Sequence, residues 1–181
     1  MNNSKTNALE IVKKDGYQLE KLSKFQKDPE IVLEAVKQVG YALQYATNDL
    51  RDNFQIVFEA VKQNGYSLEY ASDNLKKNEI LILEAMSQNR YLLSATRNRE
   101  NLKNLEFVKE AMKYNLDTYY YLEKEMRSKK EIVLVGLKNN MCSFELVPFY
   151  LKSDKEIIWM LKKYYKQIKE ISTFNLNFRF R

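Results

Sequence analysis

The sequence predicts an all-α protein built as a solenoid, a superhelical stack of about seven short helical hairpins. A motif of about 25 residues recurs along the 181-residue chain, and small residues fall at one position of successive copies. Within a copy, the apolar residues follow the 3.6-residue period of an α-helix. A unit of 25 residues is too short to bury a core by itself, so the copies must stack to form one.

Two copies of the repeat are nearly identical. Residues 30–41 read EIVLEAVKQVGY and residues 55–66 read QIVFEAVKQNGY. The same frame recurs more weakly at residues 6–17, 80–91, 106–117, 131–142 and 156–167. Its centre is marked at intervals of 25, 25, 26, 25 and 25 residues by Ala35, Ala60, Ala85, Ala111, Gly136 and Leu161. This ladder is the most specific feature of the sequence.

The first half of each unit is predicted to be a helix of about ten residues. One helical face carries the apolar residues Ile31, Val32, Ala35 and Val36. Asp28 is predicted to be the N-cap, with Pro29 at the first helical position. The equivalent N-cap positions hold Asn53, Asn78, Asn104 and Ser128.

The end of this helix is predicted at a residue with left-handed backbone. In the early units that residue is a glycine, namely Gly16, Gly40 or Gly65. In later units asparagine, the next most favourable residue for this conformation, precedes that position, as Asn89, Asn115 and Asn140.

The second half of each unit is predicted to be another short helix. Leu43, Ala46 and Leu50 lie at positions i, i+3 and i+7, and the spacing recurs at Leu68, Ala71 and Leu75 and at Phe144, Val147 and Leu151. Neither short helix would persist alone in water. Since no linker interrupts the frame, residues 1–171 are predicted to form one domain with degenerate capping repeats at both ends, followed by a tail over residues 172–181.

The composition argues against most kinds of active site. The chain has no histidine, one cysteine and four glycines, which leaves no zinc set, disulfide or glycine-rich phosphate loop. We therefore expect no catalytic residue, no metal and no cofactor. The polar N-terminus predicts no signal peptide, and the longest uncharged apolar run is about six residues against the roughly 20 that span a membrane. A cytoplasmic protein without a membrane segment is expected.

The repeat also resembles a known family. Its two closest copies give a glutamate or glutamine, aliphatic residues, Ala-Val-Lys-Gln, a glycine, then Tyr-x-Leu-x-Tyr-Ala and a later leucine. This pattern resembles the tandem-repeat family catalogued as domain of unknown function forty-one sixteen. The match is close at residues 28–50 and 53–75, and it rests on spacing alone from Arg90 onward. The resemblance implies an all-helical repeat array and supplies no catalytic residue.

Tyrosines form the first candidate binding surface. The chain has 13 tyrosines. One repeat position holds Tyr17, Tyr41, Tyr66 and Tyr91, and another holds Tyr45 and Tyr70. Evenly spaced rings could anchor a peptide or stack successive bases. Alternatively, they fill the junctions between hairpins, with their hydroxyls reaching solvent or a backbone carbonyl. A base-reading code is disfavoured, because the helix row that would carry it is mostly apolar and is typical of packing: Leu33, Phe58, Leu83, Lys109, Leu134 and Trp159.

Basic residues near the C-terminus form the second candidate. Residues 1–90 carry 12 Lys/Arg against 13 Asp/Glu, whereas residues 91–181 carry 18 against 11. The candidate phosphate-contacting or acid-contacting residues are Lys162, Lys163, Lys166, Lys169, Arg179 and Arg181. The same lysines are also what a solvated capping helix would present.

Two further patterns have competing interpretations. Glutamates three residues before lysines, as in Glu34 and Lys37, indicate i, i+3 contacts on a solvated helix face and not a catalytic pair. The tail from Phe174 to Arg181 alternates apolar and polar residues with the period of a strand. It could cover the last hairpin, join a partner's sheet edge, or pair with its own copy.

These observations predict a non-enzymatic binding module that holds a macromolecular partner, most readily a protein, along an extended surface. The alternative is a nucleic-acid-binding protein, or an inhibitor of a nucleic-acid-handling complex, that uses the basic, tyrosine-rich C-terminal half. No membrane partner is expected, and self-association through Phe174 to Arg181 stays open.

Overall fold

The computed structural model describes residues 2–89, 92, 100–115, 117–139 and 147–163. Within these ranges every regular element is an α-helix or a 3₁₀ helix. Contacts divide the chain into two compact units, Met1–Asn101 and Leu102–Arg181. The single domain over residues 1–171 stays a prediction, and the tail over residues 172–181 lies outside the described residues.

The first unit repeats one arrangement of helices. Its long helices are α1 (Asn2–Lys14), α2 (Pro29–Gln38), α3 (Phe54–Gln63) and α4 (Glu79–Gln88). A 3₁₀ helix follows each of the first three, at Gly16–Lys21, Gly40–Tyr45 and Gly65–Tyr70. One-turn helices then lead into the next repeat at Ser23–Phe25, Asn48–Arg51 and Leu75–Lys77. Each of the first three α-helices packs against the next long helix along the chain. The three 3₁₀ helices also pack in order, the first against the second and the second against the third.

The second unit contains the later repeats. Its long helices are α5 (Leu105–Tyr114), α6 (Lys130–Lys138) and α7, whose described residues are 155–163. Shorter helical turns lie at Asn101–Lys103, where the two units meet in sequence, and at Thr118–Tyr121, Lys124–Arg127 and Phe149–Leu151. A buried cluster joins α6 to α7 through Val133, Leu137, Val147, Leu151, Ile157 and Leu161.

The predicted apolar faces form the cores of these units. Ile31, Val32, Ala35 and Val36 of α2 are completely buried. The four alanines of the ladder, Ala35, Ala60, Ala85 and Ala111, have no exposed surface. Gly136 is buried as well, and Leu161 is nearly so. The spacing of small residues is therefore confirmed as the packing pattern of the repeats.

The N-caps are confirmed except in one repeat. The Asp28 carboxylate accepts hydrogen bonds from the amides of Glu30 and Ile31, and Pro29 occupies the first position of α2. The side chains of Asn53, Asn78 and Asn104 accept the equivalent pairs. The prediction of Ser128 as the cap of α6 is wrong, because Lys129 occupies that position and makes no side-chain cap.

The predicted left-handed glycines are also wrong. None of Gly16, Gly40 and Gly65 has a positive φ, and each begins a 3₁₀ helix after an extended residue. Asn89 and Asn115 are likewise extended, with φ of −141° at each. The glycines are needed because the next repeat approaches closely. A Cβ atom would overlap the carbonyl oxygen of Ala35 at Gly16 and that of Ala60 at Gly40.

The second half of the repeat differs from the prediction in its type of helix. Residues 40–45 form a 3₁₀ helix, the chain becomes extended at Ala46, and one α-turn follows at Asn48–Arg51. Leu43 and Ala46 are buried as expected, whereas Leu50 is half-buried. A spacing of i, i+3 suits both helix types, since a 3₁₀ helix aligns every third side chain. The burial was therefore predictable where the helix type was not.

Ion pairs join neighbouring repeats at two of the caps. The Lys5 ammonium lies 2.8 Å from the Asp28 carboxylate, and the Lys130 ammonium lies 2.9 Å from that of Asp154. Both lysines occupy one repeat position near the start of a long helix, and each pairs with the cap of the following repeat. In other repeats the position of these lysines is occupied by Pro29, Phe54 and Glu79. The caps of the repeats that follow them are the neutral Asn53, Asn78 and Asn104.

Candidate partner-binding surface

Five tyrosines of the first unit lie on one surface, which we call the tyrosine strip: Tyr17, Tyr41, Tyr45, Tyr66 and Tyr70. They come from the three successive 3₁₀ helices, at the second and the sixth positions. A 3₁₀ helix has three residues per turn, so positions one and four share a face, as do two and five. The first and fourth positions are buried, which turns the second and fifth outward.

The rings of the strip are packed together while remaining partly open to solvent. The ring of Tyr41 meets that of Tyr70 edge to face, with centroids 5.8 Å apart and planes at 82°. Tyr41, Tyr45 and Tyr70 are half-buried, which fits the interpretation that tyrosines fill the junctions between repeats. Tyr17 and Tyr66 keep 44% and 46% of their surface exposed. The strip therefore offers apolar area that the fold itself does not use.

The tyrosine hydroxyls lie beside side chains of neighbouring repeats. The Tyr66 hydroxyl accepts a hydrogen bond from the Asn89 side chain, and the Asn64 side chain lies near the Tyr41 hydroxyl. The Glu20 carboxylate lies near the Tyr45 hydroxyl. Each of these side chains belongs to a repeat next to that of its tyrosine.

Crowding of the phenols changes their acidity. Burial raises the pKa of Tyr41, and the nearby phenols of Tyr70, Tyr66 and Tyr17 raise it further. Burial also raises the pKa of Tyr45, with an added contribution from the Glu20 carboxylate. Both phenols therefore stay protonated and neutral beyond the usual pKa of about 10.

Glutamine side chains hold the strip in place from one repeat to the next. The Gln63 side chain accepts from the Gly40 amide at 2.6 Å and donates to the Gln38 carbonyl at 3.1 Å. Gln88 acts in the same way one repeat later, where its side chain accepts a hydrogen bond from the Gly65 amide at 2.7 Å. Each glutamine thus ties the end of one α-helix to the start of the 3₁₀ helix that carries Tyr41 or Tyr66. Sequence reasoning missed this role, although glutamine recurs at residues 38, 63 and 88.

The charge near the strip differs from that of the whole protein. Three carboxylates, Asp15, Glu20 and Glu69, belong to the 3₁₀ helices or their caps, with Lys21 beside them. The Arg51 guanidinium is bound to the Tyr70 carbonyl. Residues 1–101 hold 14 Lys/Arg and 14 Asp/Glu, so the entire net charge of +6 comes from residues 102–181.

The predicted basic surface is described only in part. Lys162 and Lys163 of α7 are exposed, and the Lys163 ammonium lies 5.5 Å from the ring centroid of Trp159. Trp159 is 59% exposed, so its assignment to a packing row is wrong, whereas Leu33, Phe58, Leu83 and Leu134 of that row are half-buried. The candidates Tyr91, Lys166, Lys169, Arg179 and Arg181, and the whole stretch Phe174 to Arg181, lie outside the described residues.

Two of the repeated glutamates, Glu34 and Glu110, form the predicted surface pairs. The Glu34 carboxylate lies 3.0 Å from the Lys37 ammonium, and Glu110 pairs with Lys113 at the same separation of three residues in sequence.

No cluster of three or more potential metal-ligating side chains occurs among the residues that the structure describes. The helices of that described part are all too short or too polar to cross a membrane.

Comparison with known proteins identifies the repeat. A family model described as Domain of unknown function (DUF4116) matches residues 6–51, 53–96 and 104–152. Each matched stretch spans close to two of the 25-residue repeats, so the family model corresponds to a pair of them. No curated protein and no solved structure matches the chain. The matched stretches cover most of the sequence, and the chain therefore belongs to the DUF4116 family of tandem helical repeats.

Proposed function

We propose that this protein is a non-enzymatic binding module whose repeats stack as a solenoid and hold a partner protein along an extended surface. In the first unit, the tyrosine strip is that surface. Stacked short hairpins offer long faces and no deep cleft, which favours binding over catalysis. The proposal includes a cytoplasmic location for the protein.

One observation carries the proposal: three successive repeats bring five tyrosines together, and two of them remain over 40% exposed. Tyrosine is enriched at the energetic centres of protein interfaces, because it supplies a large contact area and loses little side-chain entropy. Here the backbone beneath the rings is already fixed by Gln63 and Gln88, so binding need not order it.

The charges favour a protein over a nucleic acid at this surface. Binding to a phosphate backbone depends on neutralising it with lysine and arginine, whereas the unit carrying the strip has no net charge. Glu20 and Glu69 lie among the tyrosines, where they would repel phosphates.

Paired alanine substitutions test the proposal. Proteins bound to a tagged Tyr17→Ala/Tyr66→Ala variant are quantified by mass spectrometry beside the wild type. The control is Tyr120→Ala/Tyr121→Ala, which removes two tyrosines that are 60% and 52% exposed in the second unit. We expect a specific partner to fall about tenfold with the strip variant and to stay within twofold with the control. Equal recovery on both variants would contradict the proposal.

A second candidate function rests on the second unit. Its surplus of six positive charges, with exposed Lys162 and Lys163 beside Trp159, suits non-specific contact with single-stranded nucleic acid. Charge reversal by Lys162→Glu/Lys163→Glu should then weaken binding of an oligonucleotide, and the affinity should fall steeply between 50 and 200 mM salt. The absence of binding at low salt would remove this candidate.

A further inference from the structure

Resting on the proposed function, we infer that the tyrosine strip takes a basic segment of its partner, an extended peptide with arginine or lysine at every third residue. Three features of the first unit support this occupant: the pairing of rings with carboxylates, the charge around them, and the spacing of the repeats.

Each 3₁₀ helix presents a tyrosine and a polar residue on one line. Tyr17 and Glu20 occupy the second and fifth positions of the first such helix, and Tyr66 and Glu69 occupy them in the third. These four residues are all exposed. In the middle helix the same positions hold Tyr41 and Gln44, both half-buried. Because a 3₁₀ helix aligns residues three apart, each exposed ring lies next to an exposed carboxylate.

A ring beside a carboxylate is suited to a cation. The face of a tyrosine attracts an ammonium or guanidinium within about 6 Å, and a carboxylate adds a charge-assisted hydrogen bond. A guanidinium can do both at once because it is planar and carries donors along its edge, so arginine should bind more tightly than lysine. The Glu20 carboxylate also lies near Tyr45 of the strip, whose pKa it raises.

The local charge selects against acidic partners. Within the three 3₁₀ helices and their caps, the carboxylates Asp15, Glu20 and Glu69 outnumber the single cation, Lys21, and the nearby Arg51 is already bound to the Tyr70 carbonyl. A second copy of this chain is a weaker fit, because the described basic residues of α7 lie on a helix and not on an extended segment.

The repeat spacing sets the spacing of the cations. Packed helices lie about 8–10 Å apart, and we expect about the same interval between the equivalent tyrosines of successive repeats. An extended polyproline-type peptide advances about 3.1 Å per residue and so about 9 Å in three residues. Cations at every third position would therefore meet Tyr17, Tyr41 and Tyr66 in turn, whereas cations at every second position would fall out of step.

Labelled synthetic peptides test this inference on the full-length protein. The probe is fluorescein-(Arg-Pro-Pro)₃, measured by fluorescence anisotropy. Its controls are the same peptide with citrulline for arginine, one with glutamate for arginine, and one of equal charge with arginine at every second position. The test variant is Glu20→Gln/Glu69→Gln. The matched control, Glu10→Gln/Asp73→Asn, removes the same charge from exposed positions outside the three 3₁₀ helices.

The expected result is binding of the arginine peptide that weakens about fivefold or more in Glu20→Gln/Glu69→Gln and less than twofold in the control variant. The citrulline peptide should bind at least tenfold more weakly than the arginine peptide. Equal affinity for the second-position peptide would overturn the spacing, and equal loss in both variants would overturn the site. Strip-dependent binding of the citrulline or glutamate peptide would overturn this inference and leave the proposed function intact. No binding of any peptide would also overturn it, and the tyrosine variants would then decide the proposed function separately.

Discussion

The side-chain oxygen of Gln63 lies 2.6 Å from the amide nitrogen of Gly40, across 23 residues of sequence. Through this contact the last residue of α3 holds the first residue of the 3₁₀ helix that carries Tyr41. The side-chain nitrogen of Gln63 also reaches back to the Gln38 carbonyl at the end of α2. One side chain thereby satisfies two backbone groups at the place where the chain leaves a helix and enters the strip.

Removal of this glutamine should loosen the strip. Gln63→Ala leaves the Gly40 amide and the Gln38 carbonyl without this partner, and we expect the free energy of unfolding to fall by about 1–2 kcal/mol. Amide hydrogen exchange at Gly40 should accelerate more than that at Gly65, which Gln88 still holds. Unchanged exchange at Gly40 would show that Gln63 does not protect it.

The glycines should tolerate alanine in an order set by what the new Cβ meets. At Gly40 it would lie 2.4 Å from the Ala60 carbonyl oxygen and crowd Ser67 and Gln63, whereas at Gly65 it would meet the flexible Leu92 side chain at 2.8 Å and the Ala85 carbonyl oxygen only at 2.9 Å. Gly40→Ala should therefore destabilise the protein by about 1–3 kcal/mol or more, and Gly65→Ala by less. Urea unfolding measures both, with the exposed Gln55→Ala as the control. An inverted order would contradict the close approach of neighbouring repeats.

The capping ion pairs should give stability a dependence on pH. Burial alone would raise the pKa of Asp28, but hydrogen bonds from Lys5 and from the Ile31 and Glu30 amides outweigh it and lower that pKa. Hydrogen bonding to Lys130 lowers the pKa of Asp154. Because both folded-state pKa values are depressed, this stabilisation is complete above the unfolded-state value of about 3.9 and is lost as pH falls through the folded-state values.

Neutral caps should remove that dependence while keeping the caps. Asp28→Asn/Asp154→Asn should be less stable than the wild type at pH 7, and the difference should shrink as the pH falls below the unfolded-state value of about 3.9 and through the lower folded-state values. Asparagine already caps α3, α4 and α5. Unfolding by urea from pH 2 to pH 7 measures the difference, with Asp73→Asn as the control. A gap that does not change with pH would exclude the ion pairs as its source.

The phenols of the strip should titrate as an interacting group. NMR of the Tyr41 ring should give a pKa above the usual value of about 10, since burial and the nearby phenols oppose ionisation. Tyr70→Phe removes one of those phenols and should lower the pKa of Tyr41. If the pKa of Tyr41 does not respond, its elevation has another source than the packing of these rings.

The sequence was informative where one repeat determines its own structure. The Asp28 cap and the burial of Ala35 follow from local spacing, because they depend on helix geometry alone. The role of Gly40 could not be predicted, since it is set by the Ala60 carbonyl oxygen of the next repeat and not by the glycine's own backbone conformation.

The tyrosine strip was predictable in its positions and not in its exposure. The recurrence of Tyr17, Tyr41 and Tyr66 is visible in the sequence, but their differing exposure depends on the neighbours that each 3₁₀ helix finds. The 3₁₀ conformation also escaped prediction, because its three-residue period matches part of the α-helical pattern. It is this conformation that aligns Tyr17 with Glu20 and makes the strip acidic as well as aromatic.

Site-specific photo-cross-linking in living cells tests the central claim most directly. A benzophenone amino acid replaces Tyr66 in the strip and, as the matched control, Tyr120 in the second unit, which is of comparable exposure. We expect position 66 to form a covalent adduct with one partner protein, through a basic segment of that protein, and position 120 to form none with it. Adducts of equal yield at both positions, or a partner captured only from position 120, would exclude the tyrosine strip as the binding surface.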